Sequence, residues 1–480
     1  FKMIGILFSI ICFLVYWIWR QKLKMYESLN LPPIYPGLLP FIGHAHIMIG
    51  NTTRNRTRTI YSTYYIYISV IADPDDSLTA ANSCLQKHFA YDFGKPWMGE
   101  GLVVSSGSTW KRHRKLLNPA FSLQVLHSFL GVFNSQSRKL VERMMDKVGS
   151  GPFNHLVVLK DIALETVLTA FGITIEEDQE FNQAYMKAVD QILNIIALRF
   201  QNIWLHSNLI YRFSELKKRE DTLIRVLNRM SDVVTTIKNP LNYFNVVFNF
   251  QGIKCKAFMD LLLELSEDNA LTDKEIREEV DTIIVAAYDT TSCVLAYILM
   301  LLGTYPEKQE KMVKEIKEVL GDDDRDVDKD DLPKLVYTEA VIKETLRLYP
   351  SGPVGLRYVD RDVKLKNYTM HCGSQCVILN YGIHRHPMWG ADVLQFNPER
   401  WLTPDSLPPG PNIFAGFSIG KRSCMGRTFA TISMKTTLVH ILRRYQVTSD
   451  IDNLVLKIDF LLKPVSGHEI TIVERSLKKT

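Results

Sequence analysis

Residues 417–426 read Phe-Ser-Ile-Gly-Lys-Arg-Ser-Cys-Met-Gly, and the cysteine of this stretch, Cys424, is the strongest candidate metal ligand in the chain. Apolar residues recur at helical spacing after it, as far as Tyr445, which places the cysteine at or just before a helix N-terminus. The positive end of the helix dipole, together with the arginine two positions earlier, favours a thiolate there. Gly420 and Gly426 permit a tight turn and the close approach of a large flat ligand. An inert buried thiol is the alternative for a lone cysteine in a glycine-flanked loop.

The spacing of five residues decides between these interpretations. Phe417, Gly420, Arg422, Cys424 and Gly426 fill the fixed positions of Phe-x-x-Gly-x-Arg-x-Cys-x-Gly, and the segment resembles the haem-binding signature of the cytochrome P450 superfamily. The resemblance implies that Cys424 is the axial thiolate ligand of haem b iron, and that haem is held by no other covalent bond. It also implies that Arg422 pairs with a haem propionate and that Phe417 packs beside the sulfur. The implied fold is mainly α-helical with a smaller β-rich region.

The composition fits a large globular protein and argues against nucleic acid as a partner. The 480 residues are 46% apolar, and the 57 basic and 52 acidic side chains leave a net charge of only +5. Length alone suggests several domains, but the resemblance implies one haem-thiolate catalytic domain over residues 45–480. The seven cysteines form no disulfide-like or zinc-like pattern, which fits a domain facing the reducing cytosol. For Cys372 and Cys376, which lie in a strand-like segment, we expect a structural role.

The N-terminal part of the chain is predicted to attach the protein to a membrane. Residues 3–19 are almost uninterruptedly apolar and are followed by basic residues, which indicates a single-pass anchor over residues 1–22 with the following domain in the cytosol. A helix of this length, about 25 Å, suits a thin membrane such as the endoplasmic reticulum. A cleaved signal peptide is disfavoured because no cleavage site follows. Residues 23–44 are rich in proline and predict a stiff linker. The region 50–70 is shorter than in the related proteins.

Two further segments resemble haem-contacting parts of the superfamily. Trp110 and Arg114 lie one helical turn apart, and the resemblance implies that both bind a haem propionate. Arg357, in a strand-like stretch, matches a third propionate-binding arginine. The sequence around positions 95–102 and 115–121 looks most like the family-4 branch, which contains fatty-acid hydroxylases.

A capping box, Thr272-Asp-Lys-Glu275, opens a helical pattern that continues to about Gly303. The pattern is apolar enough for a second membrane span, but Asp289 lies in its middle, where a carboxylate is costly in a bilayer. We therefore expect a buried central helix with a polar notch. Residues 286–291 resemble the oxygen-activation motif of the superfamily, which implies that Asp289 and Thr290 deliver protons to the oxygen-binding side of the haem. Alanines stand at 286 and 287, so this helix offers no carboxylate for a covalent haem link at the position used by many family-4 members.

A third segment predicts support for the cysteine loop. Asp330 and Asp331 precede a helix that stops at Pro350, and we expect them to cap it. Within that helix, Glu344 and Arg347 are spaced for an i,i+3 ion pair. The resemblance implies a buried network of Glu344, Arg347 and Arg400 that braces the haem loop.

The function implied by these motifs is that of a membrane-bound, microsomal haem-thiolate monooxygenase acting on an apolar substrate. No Gly-x-Gly-x-x-Gly nucleotide motif is evident, so an NADPH-dependent cytochrome P450 reductase must supply electrons, with cytochrome b5 as a second candidate donor. A basic face for docking such a partner is predicted to comprise Lys111, Arg112, Lys115, Lys421, Arg427 and Lys435. Solvated lysines without a partner are the alternative. A haem-thiolate isomerase or dehydratase, and a non-catalytic haem or lipid binder, remain as alternative functions.

Overall fold

The computed structural model describes residues 68–170, 172, 179–236, 249–250, 253–254, 258–268, 270–403, 407–410, 413–458 and 460–475. Four residues of the N-terminal segment, at positions 13, 16, 17 and 20, are also described and are helical. The rest of the predicted anchor, the proline-rich linker and the short region up to residue 67 lie outside the described residues.

Helices make up most of the described chain, as the sequence predicted. The α-helices are α1 (Pro74–Ser83), α2 (Lys95–Met98), α3 (Gly107–Leu117), α4 (Leu123–Ser128), α5 (Leu130–Met145), α6 (His155–Ala170), α7 (Gln179–Gln201), α8 (Asn208–Arg212), α9 (Glu215–Thr236), α10 (Phe258–Glu267), α11 (Asp273–Thr304), α12 (Pro306–Leu320), α13 (Val336–Leu348), α14 (Asn380–Ile383) and α15 (Arg427–Arg444).

The strands are short and form small sheets. They are β1 (Ile68–Ile71), β2 (Gln86–Lys87), β3 (Phe153–Asn154), β4 (Asn249–Phe250), β5 (Ile253–Lys254), β6 (Gly355–Tyr358), β7 (Val363–Lys364), β8 (Thr369–Met370), β9 (Gln375–Ile378), β10 (Tyr445–Thr448), β11 (Val455–Ile458), β12 (Leu462–Ser466) and β13 (Glu469–Glu474). The largest described sheet has the order β1-β9-β6-β2, in which β1 and β9 run parallel and the other pairs are antiparallel. Strands β10, β13 and β3 form a second sheet, and β11 pairs with β12.

Helix α11 runs through the centre of the core and packs most extensively against α6. Its start is the predicted capping box: the Glu275 backbone N–H donates to Thr272 Oγ1 at 3.3 Å, and the Thr272 N–H donates to the Glu275 carboxylate at 2.9 Å. Among the described residues it is the one helix long and apolar enough to cross a membrane, but 83% of its most apolar window is buried in the protein. The prediction of a buried central helix is therefore confirmed.

Helix α13 is capped by a different part of the chain from the one that the sequence indicated. Its first residues donate their free N–H groups to the carboxylate of Glu315, on α12, with Thr338 N–H at 2.8 Å from Glu315 Oε2. Asp331, which we expected at this end, instead accepts hydrogen bonds from the Arg325 guanidinium at 2.6 and 3.0 Å. The predicted cap was wrong because the acceptor comes from a neighbouring helix in space.

Candidate functional site

The loop that ends in Cys424 is fixed by two left-handed residues and by its contact with α1. Ser418 and Gly420 have φ values of 61° and 72°. A Cβ atom at Gly420 would lie 2.8 Å from the Cβ of Ala81, so packing against α1 and the backbone conformation both require glycine here. The loop closes where the Cys424 N–H donates to the Phe417 carbonyl at 2.9 Å.

Gly426 lies beside the cysteine sulfur without being crowded by protein atoms. Gly426 is the residue before α15, so Cys424 lies just outside the helix N-terminus, as predicted. A Cβ atom built on Gly426 would lie 3.9 Å from the Cys424 Sγ, with no protein atom closer. Protein packing therefore does not require glycine at 426. A ligand lying against the sulfur would require it, because a side chain at this position would occupy the same space. Phe417 is partly buried against the same core.

The helix terminus acts on the Cys424 thiol in the predicted direction, since the Gly426 N–H lowers the thiol pKa, but burial acts against it. The Cys424 side chain is open to solvent on one side, but the protein atoms around it desolvate the sulfur and raise its pKa. The Gly426 N–H and the cations of Arg114 and Arg427 act in the opposite direction without overcoming that effect. Arg422, the cation that we expected to assist, turns its guanidinium toward backbone carbonyls instead.

Four cations converge near the loop, and three of them were predicted as haem contacts. Arg422 donates to the carbonyls of nearby loops and stacks over the Trp110 ring, with 4.5 Å between the guanidinium carbon and the ring centroid. Arg114 donates to the carbonyl of Ser423 at 2.9 Å. Arg357 is buried, and its Nε has no hydrogen-bond partner. The fourth cation, Lys87, was not predicted.

No carboxylate of the described residues balances the charge of this cluster. Within the described part of the chain, none of the four cations forms an ion pair with a carboxylate. Burial and the charges of Arg357 and Arg114 lower the pKa of Arg422 to about 9. Burial, Arg357 and Arg422 hold the pKa of Lys87 well below its ordinary value. A buried or half-buried cation without a carboxylate is costly, so the cluster would suit a ligand that carries carboxylates, such as haem.

Helix α11 is open to solvent at one place along its buried length. From position 278 to 303 its residues are buried, except that Ala286 is exposed and Ala287 and Thr290 are partly exposed. The Thr290 hydroxyl donates a hydrogen bond to the backbone carbonyl of Ala286 at 2.7 Å, so its proton is directed at the helix backbone. The polar notch that the sequence predicted thus consists of one hydroxyl beside two methyl groups.

Asp289 does not share that opening. Its carboxylate is fully buried and forms ion pairs with Lys160 on α6, at 3.1 Å, and with Lys463 on β12, at 2.8 Å. Both lysines also pair with Asp190 on α7, so four charges compensate one another. The negative charges of Asp289 and Asp190 raise the pKa of both lysines, and this effect exceeds the lowering of the pKa by desolvation. Asp289 and Thr290, which the sequence placed in one role, therefore have different surroundings.

Glu344 lies at the centre of a buried cluster that joins α13 to the segment 384–401. Arg347 donates to both of its carboxylate oxygens at 2.8 Å, and Arg400 donates to one of them at 3.0 Å. The remaining donors of Arg347 reach the carbonyls of three residues in the segment 384–395. The structure thus brings together the three residues that the sequence grouped, and adds an indole N–H from Trp401 to the carboxylate.

The predicted basic face is only partly present. Lys111, Lys115, Lys421 and Arg427 are exposed. Lys435 is not part of it, because its ammonium is buried and donates to the carbonyl of Leu332 and to Glu339, each at 2.8 Å.

Arg112 is exposed but already engaged. It donates to the carbonyl of Ala270 at 2.7 Å and pairs with Glu275 at the start of α11. The two cysteines of the strand-like segment also differ from each other: Cys376 is buried in β9, whereas Cys372 is exposed. Neither belongs to a metal-binding cluster within the residues that the structure describes.

Comparison with known proteins agrees with this arrangement. The family model for Cytochrome P450 matches residues 76–471, which include the helices and loops of the site. The chain belongs to the cytochrome P450 family. Cytochrome P450 4V2 of Mus musculus is 31% identical, with 94% of this chain and 91% of the relative covered. Cytochrome P450 4c3 of Drosophila melanogaster is 33% identical, with 82% and 76% covered. These family-4 names confirm the predicted branch.

Membership in the family establishes the cofactor and the class of enzyme. Cytochromes P450 carry non-covalently bound haem b with a cysteine thiolate as axial ligand, and this cytochrome P450 is a haem monooxygenase. The opening beside Cys424 and the acid-free cationic cluster both fit that cofactor.

Sequence reasoning did not predict Lys87, Lys160 or Lys463. Lys87 lies opposite Arg357, and Lys160 and Lys463 both pair with Asp289. These partners are more than 100 residues away in the chain, so no local motif identifies the three lysines.

Proposed function

We propose that this cytochrome P450 inserts one oxygen atom of O2 into an apolar, lipid-like substrate, such as a fatty-acid-like molecule, a terpenoid or a xenobiotic, with electrons from an NADPH-dependent reductase. The observation that carries the proposal is an open cysteine thiol beside four cations that have no carboxylate partner in the described chain. Haem with a thiolate ligand supplies the chemistry, because the sulfur pushes electron density toward O–O cleavage.

The proposed haem contacts follow from the geometry of the cysteine loop. Cys424 is the iron ligand, and Gly426 leaves the ring system room against the sulfur, while Gly420 lets the loop pack on α1. Phe417 packs beside that sulfur. The haem propionates bind the cationic cluster, with contacts from Trp110, Arg114, Arg357 and Arg422.

The proposed proton supply uses Thr290 and Asp289 in different ways. Thr290 presents its hydroxyl at the opening of α11, where it can orient a proton or a water molecule toward a bound substrate. Asp289 is held by two lysines on the buried side, so its carboxylate must leave at least one of them to reach the opening. The methyl groups of Ala286 and Ala287 beside the hydroxyl favour an apolar substrate.

The proposed electron donor docks on the exposed basic face formed by Lys111, Lys115, Lys421 and Arg427. These side chains flank the cysteine loop on α3 and α15 and would steer an acidic protein such as NADPH-cytochrome P450 reductase or cytochrome b5.

We also propose that the protein is bound to the endoplasmic reticulum membrane by its N-terminal apolar segment, with the catalytic domain in the cytosol. The family-4 relatives favour membrane attachment. The exposed side chains of Trp204, Leu209, Ile210 and Phe213, which lie within ten residues of one another in and around α8, supply an apolar surface that suits lipid.

The decisive experiment reconstitutes the purified protein with NADPH-cytochrome P450 reductase and a panel of fatty acids, terpenoids and xenobiotics. We expect oxygen consumption that requires the reductase and yields a hydroxylated product from at least one apolar compound. Reductase-independent product formation would favour an isomerase or dehydratase. No turnover, with haem bound, would favour a non-catalytic binder.

A variant pair tests the role of Thr290 in the same assay. Thr290→Ala should still bind haem and accept electrons, but it should release more hydrogen peroxide per NADPH because the proton-orienting hydroxyl is lost. Thr79→Ala is the matched control, since Thr79 makes the same hydroxyl-to-carbonyl bond, at 2.9 Å, on the solvent-exposed side of α1. An unchanged ratio of product to NADPH in Thr290→Ala would refute the role.

A further inference from the structure

Lys87 and Arg357 are brought together by strand register. Strand β2 pairs antiparallel with β6, and Lys87 lies directly opposite Arg357 in that ladder. Residues directly opposite each other in an antiparallel pair project from the same face of the sheet, and like charges in such a pair are destabilising. The ladder therefore holds two cations side by side at the edge of the predicted propionate site.

The position of the Lys87 ammonium is further restricted by its neighbours. It lies 3.9 Å from the centroid of the Tyr91 ring, and the Lys87 backbone N–H is held by the Ser106 hydroxyl at 2.8 Å. Arg422 contributes a third cation from the cysteine loop. Within the described residues, no carboxylate compensates Lys87, although many exposed lysines of this chain have one.

We propose that Lys87 is a haem-binding residue whose ammonium forms a charge-assisted hydrogen bond with a haem propionate. The inference rests on the proposed binding of haem at Cys424. It explains why a strand carries Lys87 and Arg357 in opposite positions, because a carboxylate between them turns a repulsive pair into an attractive one.

The alternative is a purely structural lysine whose stem and ammonium pack on Tyr91. The two roles differ in what they do to the haem itself. A propionate contact changes the rate of haem loss and the vibrations of the propionate, whereas packing on Tyr91 changes only the stability of the polypeptide.

The experiment compares Lys87→Met, Lys87→Gln and Lys87→Arg with wild-type holoenzyme. Haem transfer to an excess of apomyoglobin gives the rate of haem loss, and the resonance Raman band of propionate bending reports hydrogen bonding to the carboxylates. The matched control is Lys314→Met, since Lys314 is exposed on α12, where it lies 3.7 Å from Glu318.

We expect Lys87→Met and Lys87→Gln to lose haem about tenfold faster than wild type, because a hydrogen bond to a charged group is removed. Both should also shift the propionate band. Lys87→Arg, which keeps the charge, and Lys314→Met should stay within about twofold of wild type. Two neutral variants are used so that the comparison does not depend on the folding of one.

Haem loss at the wild-type rate with an unshifted propionate band in either neutral variant would overturn the proposal. A drop in thermal stability with no change in the band would assign Lys87 the structural role instead. The ferrous carbon monoxide spectrum of the wild-type protein separates these outcomes from a failure of the haem-thiolate assignment, since that failure would remove the thiolate-type Soret band from every sample.

Discussion

The Glu344 cluster allows the most quantitative prediction. Glu344 accepts two hydrogen bonds from Arg347 and one each from Arg400, Trp401 and the Asn397 N–H, and its carboxylate is fully buried. Among the described residues, Glu344 is the one carboxylate paired with Arg347, so Glu344→Ala leaves this buried guanidinium without an anion and creates a cavity beside it. Breaking a buried ion pair from one side costs about 3–5 kcal/mol. A whole protein is stable by only about 5–15 kcal/mol.

We therefore expect Glu344→Ala to lose haem binding rather than to slow turnover. The cluster ties α13 to the segment 384–395, and His384 of that segment accepts the Ala415 N–H just before the cysteine loop at 2.8 Å, so we expect its collapse to loosen the loop. The measurement is the ratio of Soret to protein absorbance after purification, with the thermal midpoint followed by circular dichroism. Glu318→Ala serves as a control, because Glu318 is 65% exposed and faces Lys314 at the surface. Full haem loading with an unchanged midpoint in Glu344→Ala would refute the bracing role.

Three further predictions concern the haem and one buried acid. Cys424→Ser should yield no thiolate-type Soret band in the ferrous carbon monoxide spectrum, since a serine hydroxyl stays protonated; a wild-type band would exclude Cys424 as the ligand. Ala286 offers no carboxylate for an ester, so acidified organic solvent should strip all haem from the polypeptide, and haem that co-elutes with the protein in chromatography would contradict this. Burial raises the pKa of Asp281 from 3.8 to about 7. The native state then holds this proton more tightly than the unfolded state, so the resulting stabilisation is complete below pH 3.8 and lost as the pH rises through about 7. Asp281→Asn should flatten the fall in thermal midpoint over that range, and an identical pH profile in the variant would show that another group causes it.

The sequence by itself determined the features that depend on neighbouring residues. The capping box at Thr272 and the apolar run after it predicted the central helix, because an N-cap and its N3 partner lie within one turn. The spacing of the cysteine loop predicted that Cys424 precedes a helix, since glycines and apolar periodicity encode a turn followed by a helix.

Only the tertiary structure decided which charges meet. The carboxylate that caps α13 is Glu315 from α12 rather than the nearby Asp331, because the free N–H groups of a helix start donate to whichever carboxylate packing brings near. Lys435 is buried because its ammonium pairs with Glu339, a residue of another helix, and no pattern in the sequence around Lys435 predicts that contact.

The same holds for the cationic cluster and for the cysteine itself. Lys87 lies opposite Arg357 because β2 pairs with β6, although the two residues are about 270 positions apart in the chain. No local sequence pattern predicts the register of such a pair. The local argument correctly gave the Gly426 N–H as lowering the pKa of the Cys424 thiol, but it could not include desolvation, which depends on all the atoms around the sulfur and raises that pKa. Local sequence determines where a turn or a helix begins, whereas burial and charge pairing are properties of the packed chain.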